Sequence, residues 1–72
     1  MSETPENKSL HLTAKELLVL RLVADGKTSE EISKELCLSL PTVKWYRKKL
    51  RTKLNASTSV QMIRKAVALH LI

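Results

Sequence analysis

The sequence has no phenylalanine and only two aromatic residues, Trp45 and Tyr46. Its core must therefore be aliphatic, built of Leu, Val and Ile. The single cysteine, Cys37, excludes an intramolecular disulfide and suits a reducing compartment. Placed after Leu36 at the end of a helical pattern, it is expected to serve as a small buried hydrophobe. With Gly26 as the one glycine there is no glycine-rich phosphate loop, and no nucleophile stands near a matching base. Neither an enzyme nor a bound cofactor is expected. His11 and His70 lack partners at ligand spacing, so no metal site is expected either. No stretch approaches the run of about 18 apolar residues that a membrane span needs. The polar, acidic N-terminus is unlike a secretory signal. A cytoplasmic protein without a membrane partner is the expectation.

Acidic residues are missing from the entire second half. Residues 39–72 carry eight Lys/Arg and no Asp/Glu, a net of +8, whereas residues 1–38 carry five against seven, a net of −2. The overall charge of +6 thus hides a segregation, the electrostatic footprint of a nucleic-acid-binding domain. Seventy-two residues make one small domain, near the lower size limit for a core without staples.

Much of that positive charge lies on one amphipathic stretch, Ser39 to Leu54. Val43, Tyr46, Leu50 and Leu54 recur at steps of three and four, the stripe that a helix buries. At about 100° per residue they fall within roughly 80° of one another. Pro41, Trp45, Lys48 and Thr52 point the opposite way, with Lys44 and Arg51 on one flank and Lys49 on the other. No acid lies within the stretch, so none of its own residues can offset the cations. A polyanion covering that face would account for the crowding.

The remaining segments read as shorter helices. Residues 1–10 are polar and aperiodic, expected as a disordered tail or linker; residues 11–72 are expected to form the domain. Thr13 and Glu16 form a capping box, with Leu12 and Leu17 as a hydrophobic staple, and Gly26 supplies a left-handed stop. Val19, Leu20, Leu22 and Val23 suffice for a core stripe, which leaves Leu17 and Leu18 in surplus. Thr28 and Glu31 form a second box, opening a short helix with Ile32 and Leu36 inward. Ser39 caps the basic helix, in which Pro41 sits early, where a missing N–H costs nothing. Asn55 suits a left-handed stop. Thr58 and Gln61 offer a third box, followed by two apolar lines. Val60, Ile63, Val67 and Leu71 form one; Met62, Ala66 and Leu69 form the other. One line is expected in the domain's own core and one against a partner. Helices over about 14–25, 29–36, 40–54 and 59–70 give an all-α, four-helix bundle-like domain. The second and third make a helix-turn-helix, the arrangement that lays its second helix in the DNA major groove.

The pattern Leu12-Thr13, Glu16, Val19-Leu20, Leu22, Gly26, Glu31-Ile32, Leu36, Leu38-Ser39, Thr42-Val43-Lys44, Leu50 and Lys53-Leu54 resembles the LuxR-type (FixJ/GerE-type) DNA-binding domain of bacterial transcription regulators. The resemblance runs from Leu12 to Ile72. It implies sequence-specific binding of double-stranded DNA as a homodimer, with the third helix in the major groove, the fourth pairing subunits, and RNA polymerase as a further candidate partner. A receiver or other sensory domain often precedes such domains in response regulators. By the same resemblance Lys44, Trp45 and Lys48 occupy base-facing positions, and Thr42, Lys49, Lys53, Ser57 and Thr58 sit where backbone contacts fall. Arg47 and Arg51 join them as cations suited to phosphate, and Met62, Ala66 and Leu69 are the expected dimer interface. The sequence departs from the family with Tyr46 where His is usual, Leu40-Pro41 in place of a polar pair, and Asn55 in place of Gly. Two alternatives stay open. A sigma-factor region 4 module shares the helix-turn-helix, although the long capped fourth helix argues against it. A helical protein-interaction module without DNA binding would use the surplus apolar positions Leu17, Leu18, Met62 and Leu69.

Overall fold

The computed structural model of the chain describes residues 11–72. The tail or linker expected over residues 1–10 lies outside the described residues. Those described contain four helices and no strand: α1 (Ala14–Ala24), α2 (Ser29–Leu36), α3 (Leu40–Lys53) and α4 (Ser59–Ala68). The helix-turn-helix is α2, the turn Cys37-Leu38-Ser39 and α3, and α3 packs against all three other helices.

Local chemistry sets each helix start. In α1 the Thr13 hydroxyl accepts from the Glu16 amide and the Glu16 carboxylate from the Thr13 amide; Thr28 and Glu31 repeat the arrangement at α2. Each box satisfies two amides that would otherwise lack partners. Leu12 and Leu17 both pack against the core, as a staple requires. Ser39 accepts from the Thr42 amide at 3.3 Å and opens α3. The third box forms by half. Thr58 accepts from the Gln61 amide, but the Gln61 side chain reaches the Ser57 amide at 2.9 Å instead of that of Thr58.

All four helices end alike. The amide just after the turn residue bonds back five residues, Lys27 to Leu22, Leu38 to Ser33, Ala56 to Arg51 and Leu71 to Ala66. That closure needs a left-handed residue, supplied by Gly26 (φ 86°), Cys37 (φ 56°), Asn55 (φ 54°) and His70 (φ 59°). Gly26 and Asn55 were expected, Cys37 and His70 were not. His70 ends α4 at Ala68, two residues short of the sequence expectation. Cys37 is exposed, not buried. A left-handed turn residue swings its side chain away from the helix face, so Leu36 and Leu38 pack against the core on either side of it.

The core is aliphatic as composition demands: Val19, Leu20 and Val23 from α1, Ile32 from α2, Val43, Leu50 and Leu54 from α3 and its cap, Met62 and Ala66 from α4. Tyr46 is partly buried against it, and so is Leu22, whereas Leu18 remains exposed. On α4 the structure corrects two of the three expected dimer contacts. Met62 and Ala66 are both 0% exposed within the domain itself, so neither has surface to give to a second copy. Each of the two expected lines is split: Met62 and Ala66 enter the core and Ile63 and Leu71 pack partly against it, whereas the other members face outward. The small Ala66 permits close helix approach and the flexible Met62 fills the remaining space. Val60, Val67 and Leu69 are the exposed large apolar residues of α4.

Candidate nucleic-acid interface

Burying Val43, Leu50 and Leu54 fixes the rotation of α3, and everything opposite that stripe is thereby turned outward. Pro41, Lys44, Trp45, Lys48 and Thr52 are exposed. Among the described residues neither Lys44 nor Lys48 is drawn into an ion pair. One turn apart, they lie about 6 Å from each other along the axis. Trp45 is 54% exposed between them, with its ring edge-on to Tyr46 at a centroid distance of 5.0 Å.

The cations expected to serve the DNA backbone divide into two groups. Arg47 and Arg51 project from the flank nearest α4, where the Arg47 guanidinium donates to Ser59 Oγ at 3.0 Å. Partial burial and the neighbouring Arg51 push the Arg47 pKa down, but a guanidinium starts so high that it stays charged. Thr42 accepts from Ser39 Oγ at 2.8 Å, and Thr58 accepts from the Gln61 amide. Both keep a hydroxyl hydrogen free to donate. Ser57 and Thr58 are exposed at the mouth of α4.

Lys49 and Lys53, on the opposite flank, meet Glu16 of α1. Lys53 Nζ donates to Glu16 Oε1 at 2.8 Å and to the His11 carbonyl at 3.2 Å. Lys49 Nζ lies 3.3 Å from Glu16 Oε2 and 4.7 Å from the centroid of the Trp45 ring, where it gains a cation–π contact. Glu16 is 0% exposed, and among the described residues its Oε2 has no directed hydrogen bond, so the Lys49 ammonium is what balances that oxygen. Sequence reasoning assigned Glu16 to a helix cap alone. One signal could have found its second role: Glu16 stands one turn before Val19 and Leu20 on the inward stripe, a position where a carboxylate needs a partner.

Burial alone would raise the Glu16 pKa. The Lys53 hydrogen bond, the Thr13 amide and Lys49 outweigh it and hold the carboxyl at about 2, against an ordinary 4.5. Because the folded value is depressed, the stabilisation is complete above about 4.5 and is lost as pH falls toward 2. Screening at the two half-exposed lysines trims the effect to about 1–2 kcal/mol. Thermal melts should show a constant midpoint down to about pH 5 and a fall below it. Glu16→Gln should flatten part of that fall. The residue belongs to other capping carboxylates such as Glu31, whose pKa its bond to the Thr28 amide also lowers. An unchanged acid limb in Glu16→Gln would contradict the assignment.

Among the described residues no three His, Cys, Asp or Glu side chains come together as a metal site would require, and no helix is long and apolar enough to cross a membrane.

Comparison with known proteins gives the arrangement a context. Residues 10–66 match the family described as bacterial regulatory proteins, luxR family. The transcriptional activator protein PhzR of Pseudomonas fluorescens is 40% identical over 63 residues, covering 88% of this chain and 26% of PhzR. The transcriptional regulatory protein LiaR of Bacillus subtilis is 39% identical over 61 residues, covering 85% and 29%. The crystal structure of VqmA from Vibrio cholera with ligand and DNA superposes with a TM-score of 0.81 at 34% identity, covering 99% of this chain and 29% of VqmA. The chain thus spans between 26% and 29% of the length of these relatives.

Proposed function

Since the chain belongs to the luxR family of bacterial regulatory proteins, we propose that residues 11–72 bind double-stranded DNA sequence-specifically, in the cytoplasm, as the DNA-binding part of a transcription regulator. The observation that carries this is the outward face of α3, where Lys44 and Lys48 stand unpaired among the described residues on either side of an exposed Trp45.

In this reading α3 lies in the major groove. Lys44 and Lys48 donate to guanine O6 and N7, and Trp45 lies against a thymine methyl or a sugar. Arg47, Arg51, Thr42, Ser57 and Thr58 hold phosphates, contacts that fix register without reading sequence. Lys49 and Lys53 were expected in the same role, but both are engaged by Glu16. A homodimer on DNA would pair copies through the exposed side of α4, namely Val60, Val67 and Leu69, since Met62 and Ala66 have no surface left. RNA polymerase is a further candidate partner of the whole regulator. The chain matches only about a quarter of the length of these relatives, and the reading supposes no catalytic step in this part.

The test is fluorescence anisotropy of the purified domain with a labelled random-sequence duplex across a salt series. Binding that tightens steeply as salt falls is the expected result, because each neutralised phosphate adds about 0.9 to the slope of log K against log salt. A domain that ignores duplex at low ionic strength but forms a stable complex with another protein would leave the interaction-module alternative standing instead.

A further inference from the structure

The cations of α3 are unequal. Taking Val43 as the origin of a wheel with about 100° per residue, Arg47, Arg51, Lys44 and Lys48 all fall on one side of the buried stripe. Lys49 and Lys53 fall on the other, and both reach Glu16. To contact a phosphate, Lys53 would have to give up a 2.8 Å bond to a fully buried carboxylate and a bond to the His11 carbonyl. Lys49 would have to move its charge off a buried oxygen that has no hydrogen-bond partner among the described residues. A buried carboxylate stripped of its counter-ions is penalised more heavily than one solvent-screened phosphate contact returns.

Building on the DNA-binding reading, we propose that Glu16 is an internal counter-ion that withholds Lys49 and Lys53 from DNA phosphates and confines backbone contact by the α3 cations to the flank bearing Arg47 and Arg51. It is a positioning residue, acting through lysines and touching no nucleotide. Its second effect runs through Lys49, whose ammonium over the indole holds Trp45 against Tyr46. Glu16 therefore sets both the number of cations that DNA can neutralise and the orientation of the exposed aromatic ring between Lys44 and Lys48. The Ser57 and Thr58 hydroxyls at the start of α4, the helix to which Arg47 is tied through Ser59, extend the contact flank away from Glu16.

The test uses Glu16→Gln, which keeps an oxygen for the Thr13 amide but removes the charge. Salt titrations against the random-sequence duplex should give a slope steeper than wild type by about 0.9 if one lysine is released and about 1.8 if both are. A second variant, Glu16→Gln with Lys49→Met and Lys53→Met, replaces the ionic cluster by side chains that pack in its place and should return the slope to the wild-type value. Emission from Trp45, the sole tryptophan, should become more accessible to a neutral quencher in Glu16→Gln, a change that loss of a helix cap alone would not produce. An equal or shallower slope in Glu16→Gln overturns the proposal. So does a triple variant whose slope falls below wild type by about 0.9 or more, since the lysines would then touch phosphate with Glu16 in place. Should Glu16→Gln fail to fold, the triple variant decides alone. A wild-type domain with no salt-dependent affinity for duplex would sink the DNA-binding reading itself, and the inference with it.

Discussion

Replacing Leu50 with Ala is expected to unfold much of the domain at ambient temperature. Leu50 is 0% exposed in the last turn of α3, in the core shared by all four helices. Truncating such a leucine removes its transfer energy and leaves a cavity, together about 2–5 kcal/mol. Sixty-two described residues at roughly 0.05–0.15 kcal/mol each provide only about 3–9 kcal/mol in total, so the loss is comparable with the whole. Urea unfolding should show the midpoint collapse in Leu50→Ala, a small shift in Leu50→Met, and almost none in Val67→Ala, whose side chain is 54% exposed. Equal shifts for Leu50→Ala and Val67→Ala would mean that α3 does not rest on this stripe. The rotation of its outer face would then be unfounded too.

The second large effect is on discrimination between DNA sequences. Once a preferred site has been selected from random duplexes, Lys48→Ala should weaken binding to it by about 1–3 kcal/mol while leaving scrambled duplex much less affected. Lys44→Ala should behave in the same way. Both side chains are exposed and make no ion pair among the described residues, so their removal disturbs little inside the fold. Arg51→Ala should instead lower affinity for both duplexes alike and reduce the salt slope by about 0.9. If Lys48→Ala loses equally on selected and scrambled DNA, it holds a phosphate and reads no base.

Capping chemistry and periodicity act over three to seven residues, and what depended on them could be read directly. The boxes at Thr13 and Thr28, the Ser39 cap, the stops at Gly26 and Asn55, and the helix-turn-helix spacing all belong to that class. The left-handed turns at Cys37 and His70 escaped it, because neither residue type marks a helix stop as Gly or Asn does. The helix-ending bond across each turn imposes the left-handed conformation.

Composition and local spacing suffice for an all-α, four-helix domain with an aliphatic core, a basic, acid-free second half and an outward face on α3. Helix packing selects which members of the two adjacent apolar lines on α4 are buried, because that depends on the angle at which other helices cross it. It also decided that Glu16 meets Lys53, 37 residues away, so that the two flanks of α3 are electrostatically unequal. No spacing within one helix encodes a pairing across that distance; packing α1 against α3 creates it.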